Sequence, residues 1–481
     1  MTASTTIHCD RGLAYAAGDA DQVAARPHLV LTTCILASSL AFVDGSVINV
    51  GLPAIAQSFA AGAADLQWAI NAYLLPLSAL LLLGGALGDR FGLRRLLVTG
   101  IGLFVAGSIG CAAALGLSSL LAARALQGVG AAMLLPSSLA ILGASFRGEA
   151  RGHAVGTWAA ASAMAGAIGP ALGGWLIDTV GWRAIFLINL PLGSAALALA
   201  FVALRKDITT SNTRAPLDVL GAALATAALG GLVWGLTLGS GPRGWTMPAI
   251  GSVLAGTVLL VAFVAVEIAK GDLAMTPPAL FGSRTLIGLN LMTILLYGAL
   301  GAFLVLLPYL LIEAGHYQAG SAGAALLPFP VVMALASPLM GRLAGRFGSR
   351  GLLTAGPIVT AAGFILALRL DERADYWTQV LPCILLMSIG MAGAAAPLTT
   401  AILSSVNEQY IGSASGLNSA LARAGSLVAT ALIGGVLAAH GAMLIARFHQ
   451  SMLVAAAVAL LAGLCAFWAL SPGREAPDQR H

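Results

Sequence analysis

The sequence predicts an all-α polytopic membrane protein, with about fourteen helices that cross the bilayer. Of its 481 residues, 59% are hydrophobic and only 9% are charged, whereas a soluble domain carries roughly a quarter charged residues. Apolar stretches long enough to cross a bilayer, which takes about 20 residues, recur along the whole chain. Glycine is abundant at 59 residues, which suits membrane helices because they pack through small side chains.

Fourteen apolar stretches meet this length criterion. They are predicted as spans at 29–55, 65–87, 94–115, 118–142, 152–178, 182–204, 217–239, 247–269, 285–312, 319–344, 350–370, 376–403, 410–439 and 451–470. The polar segments 1–28 and 471–481 are predicted to be cytoplasmic tails. The first tail has no apolar core behind basic residues, so we expect no cleaved signal peptide.

The basic residues support this span count and set the orientation. Of the 24 Lys and Arg residues, 17 fall in segments on the side of the two tails, five fall on the opposite side and two lie inside spans. Basic loops stay in the cytoplasm, so both termini are predicted to be cytoplasmic in a multi-pass protein of the inner (cytoplasmic) membrane. The net charge of +5 then reflects topology, and we expect a lipid bilayer, not nucleic acid, as the partner.

The chain also repeats itself. GALGDRFGLRR at 85–95 is similar to GRLAGRFGSRG at 341–351, and GVGAAMLLPSSLAIL at 128–142 is similar to GMAGAAAPLTTAIL at 390–403. The copies fall in spans 2 and 4 and again in spans 10 and 12. Parallel repeats of this kind occur in transporters that bind substrate between two halves.

The repeat divides the chain unequally. Residues 29–204 are predicted to form an N-terminal six-helix bundle, and residues 285–470 a C-terminal six-helix bundle. Residues 205–284 are predicted to link them through two extra membrane helices. We expect these two inserted helices to be peripheral to transport.

Three charged residues lie well inside predicted spans, away from the span ends, namely Asp44, Arg124 and Arg423. A charge in hydrocarbon costs several kcal/mol, so such residues are functional candidates. Burial disfavours the charged form of a carboxyl group, so Asp44 is either a proton carrier or a structural group at a helix break. Arg124 either pairs with Asp44 structurally or tunes it, and Arg423 is either a cavity-lining cation or a packing residue. Asp178, Glu267 and Glu313 are expected at the membrane interface, with Glu313 as a second candidate acid.

Two motifs concern the backbone. The loop at 85–95 places an acid and three arginines at a tight glycine turn, and the acid could oppose a helix dipole and hold the two halves together in one state. GAIGPALGG at 166–174 combines a proline bend with glycines for close contact, either as a moving seam or as ordinary packing. The residues concerned are Gly85, Asp89, Arg90, Gly92, Arg94 and Arg95 in the loop, and Gly166, Gly169, Pro170, Gly173 and Gly174 in the bend.

Polar and aromatic side chains on the spans are candidates for a substrate cavity, although each is equally compatible with packing. They are Asn49, Trp68, Asn71, Tyr73, Asn189, Asn290, Tyr297, Phe303, Asn418 and Arg423.

Other kinds of site are not indicated. The five cysteines show no paired spacing and the seven histidines are scattered among tails and loops, so we expect no disulfide framework and no metal site. There is no Walker loop or dinucleotide fingerprint, so we expect no ATP drive and no enzyme activity.

Five motifs carry a resemblance to a known family. GALGDRFGLRR resembles the loop motif G-x-L-a-D-r-x-G-r-r of the major facilitator superfamily, and AARALQGVGAAMLLP at 122–136 resembles its fourth-helix pattern. GAIGPALGG is similar to the fifth-helix G-P-x-x-G-G pattern of antiporters. FVDGSVINVGLP at 42–53 and LQWAINAYLL at 66–75 resemble the first and second helices. The chain therefore resembles the fourteen-helix drug:proton antiporters of this superfamily, over about residues 29 to 470.

The resemblance implies the major facilitator fold and a proton-coupled antiporter that exports small amphipathic or lipophilic compounds by alternating access. It implies a monomer that needs no cofactor beyond the proton gradient. Asp44 would be the coupling acid, Arg124 would influence proton transfer, Asp89 would join a gating network with Arg90 and Arg94, and the 166–174 segment would form the antiporter bend. Gly345 replaces the loop acid in the second half, and that half has no clear mid-membrane acid, which favours neutral or anionic substrates.

Two alternatives stay open at this point. The same scaffold also serves narrow-specificity metabolite exporters and solute importers, although the fifth-helix motif argues against import. A membrane enzyme or sensor is the third class, but the sequence offers no converging catalytic groups for it.

Overall fold

The computed structural model describes residues 26–204, 218–241, 243–271, 274, 276–406 and 410–470. Within these ranges every regular element is a helix. The predictions for the tails at 1–25 and 471–481, and for the link at 205–217, lie outside the described residues.

The helices are numbered by the span to which they belong, with letters for the pieces of an interrupted span. The first bundle comprises α1 (Pro27–Phe59), α2 (Ala63–Phe91), α3 (Leu93–Ala112), α4 (Leu117–Ser145), α5 (Gly148–Thr179), α6a (Ala184–Leu187) and α6b (Asn189–Ala203). The inserted pair is α7 (Val219–Ser240) and α8 (Met247–Lys270). The second bundle comprises α9 (Arg284–Glu313), α10a (Ala319–Ala325), α10b (Pro328–Phe347), α11 (Ser349–Leu366), α12 (Leu381–Ser404), α13a (Ile411–Leu432), α13b (Gly434–Leu437) and α14 (Ala442–Ala469).

Thirteen helical spans in the described residues are long and apolar enough to cross a membrane. The remaining predicted span, α13, is a 22-residue helix followed by a short turn of helix. Its polar residues, among them Asn418 and Arg423, lower its apolar content below that of the others. The all-α fold class predicted from the sequence is confirmed.

The start of α14 differs from the prediction. The helix begins at Ala442, whereas the sequence analysis placed its first residue at 451 and read Arg447 as part of an outer loop. Residues 447–451 are mostly polar, and they can be helical because their polar side chains either have hydrogen-bond partners or are exposed. Nε2 of His449 lies 2.8 Å from the carbonyl oxygen of Leu370, while Arg447 and Gln450 are exposed.

The two bundles repeat the same packing. In the first bundle α1 packs against α5, α4 against both α2 and α3, and α6b against both α1 and α3. The second bundle shows the counterparts, with α9 against α13a, α12 against both α10b and α11, and α14 against both α9 and α11. The repeat read from the sequence therefore corresponds to two six-helix units with matching helix neighbours.

The bundles meet along three helix pairs. These are α1 with α9, α2 with α13a, and α5 with α10a. We call the end of the molecule that carries the start of α1 the proximal end, and the opposite end, which carries the α1–α2 and α5–α6 loops, the distal end. Helix α5 makes far more of its contact with α10a than with α10b, so these two spans meet distally and separate toward the proximal end.

The distal contact between α5 and α10a is unusually close. A Cβ atom on Gly174 would overlap the backbone of Ala319, and one on Gly323 would overlap the backbone of Pro170. At the end of α5 the carboxylate of Asp178 accepts hydrogen bonds from the backbone N–H groups of Ala319 and Gly320, at 3.2 and 2.8 Å. Asp178 remains exposed, as expected at an interface, and it joins the two bundles there.

The inserted helices form a hairpin. Glycines allow α7 and α8 to pack closely, since a Cβ on Gly256 would lie 2.5 Å from the backbone nitrogen of Leu232. At the proximal end Lys270 pairs with Asp218. Glu267 accepts hydrogen bonds from the N–H and the hydroxyl of Thr276, both at 2.6 Å. Glu267 lies near the end of α8, as expected, but this side chain is covered by protein at 3% exposure.

Helix α7 packs against both bundles, through α2 on one side and α13a on the other. Trp234 on α7 lies with its ring centroid 5.4 Å from that of Trp68 on α2, and Val233 packs with Leu427 and Ala431 of α13a. The inserted hairpin thus covers the seam between α2 and α13a from the lipid side.

Substitution of Gly174 by valine is expected to open the distal contact, because the new side chain has no room against Ala319. We expect the distance between spin labels at Thr179→Cys and Gln318→Cys, both exposed distal positions, to lengthen by several ångströms, about the size of the added side chain. Double electron–electron resonance on a background without native cysteines measures it.

Gly156 supplies the matched control on the same helix, since nothing lies within 4 Å of a Cβ built there. Gly156→Val should leave the distance distribution unchanged. An unchanged distribution in Gly174→Val would mean that the distal contact does not depend on this glycine.

Candidate transport site

Asp44 lies within α1 and is fully buried at 0% exposure. The helix continues without a break through Asp44, whose neighbours Phe42, Val43 and Val47 are apolar. Burial of a carboxylate costs free energy unless the group is paired and hydrogen-bonded, so the groups around Asp44 must compensate for this cost.

Arg124 on α4 is the charge partner of Asp44, and it too is 0% exposed. Its Nε donates to the carbonyl oxygen of Ala69 at 3.1 Å. The guanidinium carbon lies 4.5 Å from the ring centroid of Tyr73 and 5.8 Å from that of Phe186. The pairing that the sequence offered as one possibility is present, and aromatic faces shield it from water.

Polar groups from two more helices complete the shell around the acid. Oδ1 of Asp44 accepts hydrogen bonds from Gln127 Nε2 at 2.9 Å and from Asn189 Nδ2 at 3.0 Å. Both amides also reach the hydroxyl of Ser108, at 2.8 and 3.2 Å. The Gln127 carbonyl oxygen in turn accepts from Arg124 Nη1 at 2.9 Å.

Sequence reasoning missed Gln127 and Ser108. Gln127 had a usable signal, because it follows Arg124 by three residues on one helix and residues at that spacing share a face. Ser108 had none, since a serine on an apolar helix usually bonds its own backbone, and Ser108 does donate to the carbonyl of Phe104 at 2.9 Å. Asn189 was placed among cavity candidates, whereas it is fully buried beside Asp44.

The carboxyl group of Asp44 is surrounded by hydrogen-bond donors. Its two oxygens accept from three N–H groups, those of Arg124, Gln127 and Asn189. Nη2 of Arg124 is buried without a hydrogen-bond partner, so the cation is not fully satisfied even in the pair. All of these groups belong to the first bundle.

Arg423 comes from the second bundle and points toward the first. Its guanidinium carbon lies 5.7 Å from the ring centroid of Phe42 on α1. Its Nε is buried without a hydrogen-bond partner, and the ion pairs recorded within the described residues do not include it. Within the described residues, the interface therefore carries a positive charge that is not paired with an acidic side chain.

Several predicted cavity residues join the bundles or line small polar spaces. Nδ2 of Asn49 donates to the carbonyl of Leu304 at 3.3 Å, and Asn71 accepts from the hydroxyl of Thr430 at 2.5 Å. Both bonds run between the bundles.

A second group of these residues lies inside the C-terminal bundle. Nδ2 of Asn418 donates to Asn290 at 3.2 Å and to the hydroxyl of Thr293 at 2.6 Å. Asn418 also lines a cavity of about 150 Å³ with Thr399 and Ser415. This cavity is polar and lies between α12 and α13a.

The four aromatic candidates are held by packing or by hydrogen bonds. Tyr73 is 1% exposed and donates its hydroxyl to the carbonyl of Ala41 at 2.9 Å. Trp68 packs on the inserted hairpin. Phe303 is buried in the second bundle against Phe364, with ring centroids 5.9 Å apart, and the backbone carbonyl of Tyr297 accepts a hydrogen bond from the Ser426 hydroxyl at 3.0 Å.

The bend segment of α5 faces two ways. Gly166, Gly169 and Gly173 lie against α1, where Cβ atoms at the last two would overlap Ser46 and Val47. Pro170 and Gly174 lie against α10a. The close-contact seam expected from the sequence is therefore present on both sides of the helix, and its role as a moving part stays a prediction.

The loop at 85–95 turns at Gly92, whose φ of +92° requires glycine. Arg94 donates to the carbonyl oxygens of Ala200 and Phe201 at the end of α6b, at 3.4 and 3.3 Å. Arg90 and Arg95 are exposed, and a Cβ on Gly85 would lie 4.0 Å from the Cβ of Pro136. The side chain of Asp89 lies outside the described part of the structure, so the gating network stays a prediction.

Two matched helical bundles around a polar, positively charged interface define a membrane transporter of the alternating-access type. A family comparison is decisive, because the model for the Major Facilitator Superfamily matches residues 34–288 and again residues 289–481. The chain belongs to the major facilitator superfamily. The two matches divide the chain between residues 288 and 289, near the start of α9.

Relatives of similar length carry names that refer to drug resistance. The chain is 33% identical to the multidrug resistance protein Stp of Mycobacterium tuberculosis over 415 residues, which is 85% of this chain and 76% of that protein. It is 32% identical to the methylenomycin A resistance protein of Bacillus subtilis, over 85% of this chain and 87% of that one. The tetracenomycin C resistance and export protein of Streptomyces glaucescens is 32% identical, over 86% and 77%.

Solved structures confirm the fold. A peptide transporter, POT, in complex with alafosfalin superposes with a TM-score of 0.68 at 15% identity, over 91% of this chain and 93% of that one. The xylose transporter XylE of E. coli, in a partially occluded inward-open conformation, superposes with a TM-score of 0.62 at 16% identity, over 94% and 99%.

The Asp44–Arg124 pair makes a stability prediction. Arg124→Leu leaves Asp44 buried without its charge partner, which typically costs about 3–5 kcal/mol. The double variant Asp44→Asn, Arg124→Gln removes both charges and keeps hydrogen-bonding groups, so it should recover most of that loss. Thermal unfolding of the purified protein in detergent measures both.

Arg373→Gln, at an exposed distal arginine, is the control and should leave the melting temperature unchanged. A double variant that is no more stable than Arg124→Leu would show that the loss does not come from leaving the Asp44 charge unpaired.

Proposed function

We propose that the chain is a proton-coupled antiporter that exports small amphipathic or lipophilic compounds, including antibiotics, by alternating access. The observation that carries the proposal is the fully buried Asp44, whose carboxyl group is held by Arg124, Gln127 and Asn189 inside the first bundle. The names of relatives that cover most of this chain refer to multidrug, methylenomycin A and tetracenomycin C resistance.

The coupling step uses a proton on one Asp44 oxygen. When Asp44 takes a proton from the outer side it becomes neutral, and its attraction to Arg124 is lost. Arg124 then remains a buried cation with an unpartnered Nη2, a state costly enough to favour a different packing of α1 and α4. Release of the proton to the cytoplasm restores the pair and the packing seen here.

The substrate would bind between the bundles, near Arg423 and the Phe42 ring. The positive charge there, without a paired acid, disfavours cations. It supports neutral or anionic lipophilic substrates, whose apolar parts would pack against Phe42 and the neighbouring small residues.

We place the protein in the inner (cytoplasmic) membrane as a monomer, with both termini in the cytoplasm and no cofactor beyond the proton gradient. The basic residues favour the proximal end as cytoplasmic. The contact between α5 and α10a would then close the outer side, so the present conformation corresponds to an inward-facing state.

Asp44→Asn is expected to abolish gradient-driven export but still to allow substrate exchange, because a neutral amide cannot cycle a proton but imitates the neutral acid, a state that the proposed cycle itself visits. Cells that express the variant should be as sensitive as empty-vector cells to a panel that includes methylenomycin A and tetracenomycin C. Counterflow of a labelled compound from that panel in proteoliposomes tests the exchange.

Glu372→Gln, at an exposed distal acid, is the control and should confer the wild-type level of resistance. Resistance from Asp44→Asn equal to that of the wild type would exclude Asp44 as the coupling group.

Arg423→Gln is expected to weaken export of anionic compounds about tenfold, the change produced by about 1.4 kcal/mol of lost attraction, and to spare neutral ones. Arg423→Lys keeps the charge and should retain most of the activity. Uptake of paired anionic and neutral dyes into inverted membrane vesicles measures the ratio. An equal loss for both dyes would assign Arg423 to packing.

A further inference from the structure

A large cavity lies away from the interface of the two bundles. It measures about 910 Å³ and is bounded by the distal end of α7 and by α9, α13 and α14. Volumes of about 300–1,000 Å³ are typical of ligand sites. Its outer rim includes Leu432, Met443 and Val454, which are 51%, 58% and 63% exposed, so the cavity opens sideways on the surface that faces lipid.

The walls of this lateral cavity are polar at one end only. Arg447, Gln450 and Ser451 line it from α14, and their spacing of three and four residues puts them on one helix face. Ser240 at the end of α7 lies on the same distal side. Deeper positions are apolar, as at Val458 and Ile294. No acidic side chain is among the described residues that line the cavity.

The polar end lies at the depth of a membrane interface. Arg447 is in the second turn of α14, which begins at Ala442, so it lies roughly 8 Å along the helix axis from that end. Val458 lies roughly 16 Å deeper on the same helix. The cavity therefore has a cationic, hydrogen-bonding mouth at the interface and an apolar slot toward the membrane centre.

The cavity is closed from the transport path. Behind it α9 and α13a cross at glycines, where a Cβ on Gly298 would lie 3.1 Å from the carbonyl oxygen of Gly425 and one on Gly301 would lie 2.7 Å from Ser426. Helix α14 packs against α9 and α11. A ligand in this cavity would come from the surrounding bilayer.

The backbone is interrupted beside the mouth of the cavity. Helix α13a ends at Leu432 and α13b starts at Gly434, and the cavity is lined by Leu432, Ile433, Gly435 and Val436. Interrupted backbone at membrane depth occurs where it is covered by protein or lines a space that holds polar groups. Nearby, Ser240 donates to the carbonyl oxygen of Ala431 at 2.8 Å.

We propose that this lateral cavity is a binding site for one anionic phospholipid of the distal, outer leaflet. The phosphate would accept hydrogen bonds from Arg447, with Gln450 and Ser451 beside it, and an acyl chain would lie along Val454 and Val458. The lipid would bridge the inserted hairpin and the second bundle. Charge selects an anionic headgroup, and the depth profile of the walls selects a molecule with its charge at the interface and its chains below.

The test uses the purified full-length protein, delipidated in detergent, and three probes. The first probe has both a net negative charge and acyl chains, and each of the other two has only one of these features. Dioleoyl phosphatidylglycerol should bind at one per chain by native mass spectrometry and raise the melting temperature. Dioleoyl phosphatidylcholine, with the same chains and no net charge, and glycerol 3-phosphate, with the charge and no chains, should each bind at least fivefold more weakly.

Arg447→Gln should remove the preference for phosphatidylglycerol over phosphatidylcholine, and Val454→Trp, which places a large ring at the exposed rim, should weaken both lipids. Arg373→Gln, an exposed distal arginine outside the cavity lining, should keep the wild-type preference. Equal binding of the two lipids to the wild type, a preference that survives Arg447→Gln, or lipid binding that is unchanged in Val454→Trp, overturns the proposal. These measurements of lipid binding do not involve transport, so the lipid proposal and the proposed export function can each fail without the other.

Discussion

The arrangement of the first bundle depends on one interaction, the ion pair of Asp44 with Arg124 at 0% exposure. Two charges in hydrocarbon are tolerable only as a well-bonded pair. This requirement explains why α3, α4 and α6b each supply a polar side chain to the same point, while the surrounding positions are apolar or small. Tyr73 and Phe186 cover the guanidinium, and the backbone carbonyl of Ala69 accepts a hydrogen bond from its Nε–H.

Because this pair lies inside one bundle, a change in its charge must reach the second bundle through packing. Helix α1 is placed to transmit it. The same helix carries Asp44, bonds the second bundle through Asn49 and the Leu304 carbonyl, and packs through Ser46 and Val47 against the glycines of α5. Helix α5 in turn touches α10a through Pro170 and Gly174. A shift of α1 would therefore disturb both contacts between the bundles.

The sequence was informative where the free-energy cost of placing a residue in the membrane does not depend on its neighbours. The length of the apolar stretches located most of the spans to within a few residues. The free-energy cost of charges in lipid singled out Asp44, Arg124 and Arg423. It was uninformative where a neutral polar group acts through a distant partner, as with Ser108 and Gln127. It was wrong about the start of α14, where polar residues such as Arg447 are helical. It could not show that an acid near a span end is covered by a loop, as Glu267 is by Thr276.

The position of Asp44 also constrains how protons and substrate would oppose each other. In a shared site, a proton and a cation compete for one carboxylate, but here Asp44 is fully enclosed and the interface carries Arg423 instead. Protonation of Asp44 leaves Arg124 as a second uncompensated cation, which by charge alone would favour an anion. Opposition between proton and a neutral or anionic substrate must therefore come from conformation, with each ligand stabilising a different packing of α1 against α5 and α9.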